Sequence, residues 1–161
     1  IGLNLCPFAK AVHAKDRIRW VLSDATDAEA LLAQLAAELQ FLAAADPTEV
    51  ETTLIVHPRV LADFADYNDF LDLADAAIEA LGLEGTLQVA SFHPDYRFEG
   101  TGPDDITNAT NRSPFPTLHL LREDSITQAV ADTPDADRIV ERNLATLRRL
   151  GPAGWRRLFE D

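Results

Sequence analysis

Three of the four histidines in this sequence stand where side chains of a folded sheet often meet a ligand. His57 and His93 each follow a short apolar run and precede a proline, and His119 lies within a third such run. A histidine beside a carboxylate can serve as a general base or as a metal ligand. Ligands of open α/β sheets bind beyond the carboxyl ends of the parallel strands. The sequence therefore predicts that these three histidines converge at one edge of a sheet.

A polar segment of roughly twenty residues, longer than an ordinary connection, joins two of these apolar runs. It begins after Phe92 and ends before Thr117. An arginine flanked by amide and hydroxyl groups can hold a carboxylate or a phosphate through directed hydrogen bonds. The segment offers such a set, and the predicted substrate-binding residues are Tyr96, Asn108, Asn111, Arg112 and Ser113.

These groups suggest a first hypothesis, a small-molecule enzyme. One histidine would act as the general base, Asp95 would orient that histidine, and Arg112 would bind an anionic group of the substrate. The catalytic candidates are His57, His93, Asp95, His119 and, through separate thiol chemistry, Cys6. The predicted partner is a small anionic molecule, while the substrate and the reaction do not follow from the sequence.

A second hypothesis needs no catalysis. A histidine at the end of a strand and before a proline can close a turn by bonding a backbone carbonyl. Asparagine and serine side chains also bond neighbouring backbone groups readily, so the same polar residues can hold a long loop in shape. The protein would then be a noncatalytic ligand-binding or protein-interaction domain, with the long segment as its recognition surface.

Cys6 supports a third hypothesis, a monothiol redox or transferase module. Proline is favoured at the first position of a helix, so Pro7 would make Cys6 the N-cap residue. There the positive end of the helix dipole, with Lys10 one turn further on, would favour the thiolate over the thiol. The alternative is a buried structural cysteine between the apolar Leu5 and Phe8.

Familiar signatures of cofactor and metal sites do not occur in the sequence. It has no H-x-E, HExxH or C-x-x-C arrangement of metal ligands. The stretch 99–102 offers G-x-G without the glycine that completes a dinucleotide fingerprint, and no G-x-S-x-G nucleophile elbow is present. The sequence therefore assigns neither a cofactor nor a metal.

Length and composition indicate one soluble globular domain over residues 1–161. The chain is 47% hydrophobic and 25% charged, and its net charge of −13 argues against binding to nucleic acid or anionic membranes. No apolar run approaches the roughly 18 residues that span a bilayer, and a single cysteine suits a reducing compartment. We expect a cytoplasmic protein that lacks a short N-terminal segment before Ile1, and its oligomeric state is not predicted.

Hydrophobic periodicity predicts an α/β (α+β) fold, a two-layer sandwich in which helices cover a four-stranded mixed sheet. The predicted strands are 17–23, 52–56, 87–92 and 117–121. The β-α-β-α-β order favours parallel pairing of the first three strands, and the fourth is expected to be antiparallel because no full helix precedes it. The predicted helices begin at Pro7, Thr26, Val60, Ser125 and Thr133-Pro134, and the last one stops at Gly151-Pro152.

Several strings along nearly the whole chain resemble one bacterial family. They are Gly2 to Ala9, Phe92-His93-Pro94, Asn111 to Pro114 and Leu118 to Glu123. The family is catalogued as domain of unknown function fourteen-fifteen, and it brings no assigned activity. The resemblance implies a compact cytoplasmic bacterial protein, with a further N-terminal segment ahead of Ile1.

Overall fold

The computed structural model of the protein describes residues 2–3, 5–6, 9–132 and 138–159. Four strands alternate with helices along the chain. The strands are β1 (Ile18–Leu22), β2 (Thr52–Val56), β3 (Leu87–Phe92) and β4 (Thr117–Arg122). The α-helices are α1 (Ala9–Ala14), α2 (Ala28–Ala44), α3 (Phe64–Ala80), α4 (Glu123–Ala131) and α5 (Ile139–Arg157), and the long polar segment contains a 3-10 helix (Ile106–Asn111).

The four strands form one open mixed sheet in the order β1-β2-β4-β3. β1 and β2 pair in parallel, and β4 pairs antiparallel with both β2 and β3. The α/β class, the four-stranded mixed sheet and the antiparallel fourth strand are therefore confirmed. β4 inserts between β2 and β3, so the two strands that lead to His57 and His93 share a direction without being neighbours.

One face of the sheet carries the core, because α2 and α3 each present an apolar stripe at helical spacing. Side chains of β2, β3 and β4 that point to this face are fully or almost fully buried, as in Ile55, Leu87, Leu118 and Leu120. The helices add their own buried residues to the same cluster, namely Leu31, Leu35, Leu39, Leu42, Tyr67, Phe70, Ala74 and Ile78. The sheet forms one layer and these helices form the other. The residues that follow β2 and β3 lie next to the loop before α3.

An arginine from β4 holds the carboxyl end of α2. Nη2 of Arg122 donates hydrogen bonds to the carbonyl oxygens of Leu42, Ala45 and Val50, at 2.8, 2.9 and 3.0 Å. The last carbonyls of a helix have no partner within the helix, and a nearby cation interacts favourably with them. Arg122 thereby joins the connection between α2 and β2 to the strand in the middle of the sheet.

The first turns of α2 and α3 begin later than the sequence predicts. Asp27 caps α2 instead of Thr26, because its carboxylate accepts the backbone N–H of Ala30. Asp63 caps α3 in the same way, so the predicted start at Val60 is wrong. An aspartate is as good an N-cap as a threonine, and Thr26 and Asp27 are adjacent at the start of α2.

α4 begins at Glu123 rather than at the predicted Ser125. β4 runs directly into this helix, and the N-cap residue Arg122 makes no side-chain capping bond. The first turn instead contains two acidic residues, Glu123 and Asp124, whose negative charges interact favourably with the positive end of the helix dipole.

α5 is interrupted where the sequence predicted its end. Gly151 has φ 65°, outside the helical region, and Pro152 then opens a further helical stretch that continues to Arg157. Proline suits the first position of a helix, so the same pair both ends one stretch and starts another. The predicted start of this helix at Thr133-Pro134 lies outside the described residues.

The second face of the sheet is only partly covered. Side chains that alternate with the core residues, such as Leu54, Val56 and Phe92, are half-buried. On the edge strand β1, Trp20 is 64% exposed and Leu22 is 71% exposed. None of the helices in the described ranges is long and apolar enough to cross a membrane.

Candidate functional site

His57 and His93 lie close together, beside the ring of Tyr67 in α3. Their strands run in the same direction and end at the same edge of the sheet, on either side of β4. Both imidazoles are fully buried and pack against the ring of Tyr67. The ring centroids lie 5.8 Å from that of Tyr67 for His57 and 5.0 Å for His93. The structure thus brings together two of the three histidines named above.

Both histidines bind the turn that precedes α3. Nδ1 of His57 lies 3.1 Å from the carbonyl oxygen of Val60, and Nε2 of His93 lies 3.1 Å from that of Leu61. A carbonyl oxygen only accepts, so each of these ring nitrogens carries a proton. Leu61 has φ 59°, a left-handed conformation that is uncommon for residues other than glycine. The two hydrogen bonds therefore hold an unfavourable turn against the ends of two strands.

Asp95 does not orient His93 in the way that the enzyme hypothesis requires. The contact runs through the backbone, since Nδ1 of His93 accepts the N–H of Asp95 at 3.0 Å. The side chain of Asp95 is exposed at the surface. Both ring nitrogens of His93 are therefore bonded to backbone groups. Nε2 donates to the carbonyl of Leu61, and Nδ1 accepts the N–H of Asp95 in the turn after β3.

His57 keeps one ring nitrogen without a partner. With Nδ1 as the donor, Nε2 is the acceptor of a neutral ring, and it is buried without a hydrogen bond among the described residues. Burial lowers the pKa of His57 more than the hydrogen bond to the Val60 carbonyl raises it, and repulsion from His93 lowers it further. The free lone pair is the one feature of the pair that suits a general base, but the ring is closed off from solvent.

His119 does not join the other two histidines, contrary to the prediction of a threefold convergence. Side chains alternate along a strand, so Leu118 and Leu120 point into the core while His119 points to the opposite face. Its Nε2 lies 2.8 Å from the hydroxyl of Thr52, which donates its own proton to the Leu120 carbonyl. Nε2 is therefore the donor to Thr52, and burial lowers the pKa of His119 to about 4.

Asn108 gives the long polar segment its shape. The residue is fully buried, and its Oδ1 accepts the backbone N–H of Phe98 at 3.1 Å and the hydroxyl of Thr101 at 2.8 Å. Its Nδ2 donates to the carbonyl of Gly102 at 2.9 Å. Both ends of the amide thus close the loop, which is the role that the second hypothesis gives to the asparagines of this segment.

Asn111 and Tyr96 anchor the same segment to the sheet and to α3. Nδ2 of Asn111 donates to the carbonyl of Ser91 at 3.1 Å. The ring of Tyr96 makes an edge contact with Phe64, with 5.3 Å between ring centroids. The contacts of Asn111 and Tyr96 are therefore structural, because they connect the long polar segment to β3 and to α3.

Arg112 and Ser113 line a cleft at the surface. The cleft has a volume of about 330 Å³, and its other lining residues are Pro94, Pro114, Trp155 and Phe159. Arg112 is half-buried and fixed from two sides, since Nε donates to the Tyr96 carbonyl at 3.3 Å and Nη2 donates to the Pro103 carbonyl at 2.6 Å. Its third nitrogen, Nη1, has no hydrogen bond within the described ranges. Arg112 thus contributes to the lining of the cleft a guanidinium that two backbone carbonyls hold in place.

Two aromatic residues that were not among the predicted site residues form one wall of this cleft. Trp155 and Phe159 stand four residues apart near the end of α5, with 5.4 Å between their ring centroids and an edge contact. An aromatic pair at this spacing lies on one side of a helix, and Arg156 and Arg157 stand between the two aromatic residues in the sequence. That signal was present in the sequence, but nothing in it indicated that α5 lies beside the long polar segment.

Cys6 is exposed, so the alternative of a buried structural cysteine is wrong. The predicted helix start at Pro7, and the neighbouring Phe8, lie outside the described residues, and α1 spans Ala9–Ala14. Among the residues that the structure describes, no three His, Cys, Asp or Glu side chains are placed to hold a metal ion.

Comparison of the whole chain with known proteins identifies its family. The family described as Protein of unknown function (DUF1415) matches residues 1–157, and the chain belongs to this family. No curated protein and no solved structure is detectably similar to the chain.

Proposed function

We propose that the protein is a noncatalytic binding module for a small organic anion, which it holds in the cleft between the long polar segment and α5. The observation that carries the proposal is the fixed guanidinium of Arg112, which lines a cleft beside the aromatic rings of Trp155 and Phe159. A planar guanidinium binds carboxylate or phosphate with directional hydrogen bonds, and the rings offer an apolar surface to the rest of the ligand.

The distribution of charge supports an anionic ligand. The whole chain carries a net charge of −13, but α5 contains five arginines and one glutamate. An otherwise acidic surface disfavours the approach of an anion, and a local basic helix reverses this effect near the cleft. Arg156 and Arg157 belong to that helix and directly follow Trp155 in the sequence.

The positions of the histidines favour binding over catalysis. His93 uses both ring nitrogens on backbone groups, His57 is fully buried, and His119 lies on the other face of the sheet. The lining of the cleft contains arginine, serine, proline and aromatic side chains, and no histidine belongs to it. An enzyme of the His/Asp/Arg type would need a base within hydrogen-bond reach of the bound anion.

Calorimetric titration with benzoate and with phenyl phosphate tests this proposal. We expect saturable binding of at least one of them, and a loss of about tenfold or more in Arg112→Gln, because a hydrogen bond to a charged group contributes roughly 1.5–3 kcal/mol. Arg59→Gln is the matched control, since Arg59 is exposed and lies outside the cleft. Equal affinity in the wild type and in Arg112→Gln would overturn the proposal.

A second measurement covers the case in which Arg112→Gln disturbs the loop. The chain has two tryptophans, so Trp20→Phe leaves Trp155 as the only tryptophan that can be excited selectively. Binding in the cleft is expected to shift the emission of Trp155 in this variant, with the affinity found by calorimetry. No saturable shift up to about 10 mM of either anion would exclude this cleft as the site.

A further inference from the structure

A second surface groove shares Trp155 with the cleft. It also has a volume of about 330 Å³, and it is lined by Gly2, Leu3, Leu5, Trp155 and Leu158. The side chain of Trp155 is therefore a common wall of two adjoining depressions. Phe159 belongs to the first depression and Leu158 to the second, because consecutive residues near the end of α5 point in different directions.

The two depressions differ in chemical character. The cleft contains the guanidinium of Arg112 and the hydroxyl of Ser113, whereas every residue that lines the groove is apolar or glycine. Leu3 and Leu5 are half-buried, and Leu158 is 48% exposed. A ligand that crosses Trp155 would therefore meet a positive end and an apolar end.

The groove is a defined part of the structure, because its two sides are joined. Nδ2 of Asn143, in α5, donates to the backbone carbonyl of Leu5 at 2.6 Å. This bond ties the segment that carries Leu3 and Leu5 to the helix that carries Trp155 and Leu158. The groove and the cleft together fall within the volume range of roughly 300–1,000 Å³ that is common for small-molecule sites.

We propose that the ligand is a monocarboxylate with an unbranched alkyl chain. Its carboxylate binds Arg112 in the cleft, and its chain passes Trp155 and lies in the groove along Leu3, Leu5 and Leu158. This inference rests on the proposed function and specifies the chemical class of the anion. An extended alkyl chain fits the arrangement because it is narrow enough to pass one indole ring and covers apolar surface on both sides of it.

A series of straight-chain acids from butyrate to decanoate, each kept below its micelle concentration, tests the inference by calorimetry. We expect affinity to rise by about twofold to fourfold for each added methylene, up to the length that fills the groove. The methyl ester of the tightest acid is expected to bind at least about tenfold more weakly, because it lacks the charge that Arg112 recognises.

The groove is tested by Leu158→Ser, which is expected to flatten the dependence on chain length while leaving the affinity for butyrate unchanged. Leu73→Ser is the matched control, because Leu73 is 47% exposed on α3 and outside the groove, against 48% for Leu158. Leu3→Ser provides a second test from the opposite side of the groove and is expected to act like Leu158→Ser.

The outcomes separate the two proposals. Benzoate binding that depends on Arg112, together with equal affinity for butyrate and decanoate, would overturn the alkyl-chain inference and leave the anion site in place. A chain-length dependence unchanged in both Leu158→Ser and Leu3→Ser would also overturn it, because the chain would then lie elsewhere. No binding of any straight-chain acid, of benzoate or of phenyl phosphate would overturn both.

Discussion

The buried histidines of this protein are held by backbone groups of a single turn. His57 and His93 bind the carbonyls of Val60 and Leu61, two consecutive residues that come before α3. Neutral imidazole can donate from one nitrogen and accept at the other, and burial favours the neutral ring of His57 because it penalises charge. His57 and His93, which the sequence suggested as possible general bases, therefore have a structural role. They join the ends of two strands to the turn before α3.

His119 leads to a prediction about pH. Its pKa falls from the ordinary 6.5 to about 4 in the folded protein, so the unfolded chain binds the proton more tightly. The free energy of unfolding should thus be greatest above about pH 6.5 and decrease as the pH is lowered to 4, by roughly 3 kcal/mol from this residue. Urea unfolding at several pH values should show a smaller decrease in His119→Gln.

The control for this measurement is His13→Gln, because His13 is an exposed residue of α1. It should keep the full dependence on pH. Burial also lowers the pKa of His57, so part of the decrease is expected to persist in His119→Gln. The same slope in His119→Gln as in the wild type would show that His119 does not titrate in this range.

At the scale of elements, α3 is the helix that fixes where the long polar segment leaves the sheet. The hydroxyl of Tyr67 donates to the Thr117 carbonyl at 2.9 Å and accepts the N–H of Phe92 at 3.0 Å. Phe92 and Thr117 are paired across β3 and β4, at the point where these strands separate. One buried hydroxyl thus bridges the end of the ladder, and burial raises the pKa of Tyr67 so that it stays protonated.

Tyr67→Phe should lower stability by about 1–3 kcal/mol, because it leaves a buried carbonyl and an amide without their partner while preserving the ring. Thermal or urea unfolding measures this loss. Tyr96→Phe is the matched control on the other tyrosine of the chain, whose hydroxyl has no hydrogen bond within the described ranges. Equal stabilities of the two variants would contradict the bridging role.

At the scale of the whole molecule, the described part of the chain has a sheet core and a separate contact between α5 and the 3-10 helix. Leu147 of α5 is fully buried but is not part of the core cluster that α2 and α3 form on the sheet. Ala109 of the 3-10 helix is buried as well, and these two elements touch. The cleft lies along this second contact, so its shape depends on α5 staying in place.

Leu147→Ala should therefore loosen α5 before it affects the sheet. Truncating a buried leucine costs roughly 2–5 kcal/mol, which here would favour local opening over global unfolding. Amide hydrogen exchange should become about tenfold faster or more in α5 and the 3-10 helix, with β2 and β4 unchanged. Leu120→Ala, a truncation within the sheet core, should accelerate exchange in β2 and β4, and the same pattern in both variants would show that the molecule opens as one unit.

Much of the fold was readable from the sequence because local patterns decide it. Alternation and helical spacing predicted four strands and the helices α2 and α3, and the lack of a helix before β4 predicted its antiparallel direction. Helix starts were less accurate, since neighbouring capping residues such as Thr26 and Asp27 compete on nearly equal terms. The family was also recognisable from strings that the chain keeps along almost its whole length.

The tertiary structure alone decided which of the predicted site residues come together. Side-chain alternation places His119 on the face opposite Leu118 and Leu120, whereas His57 and His93 come together because both bind the turn before α3. The chain likewise indicated Arg112 as an anion binder, but its partner Trp155 lies 43 positions further along. Contacts between such distant positions depend on how α5 packs, which is set by burial over the whole molecule rather than by local spacing.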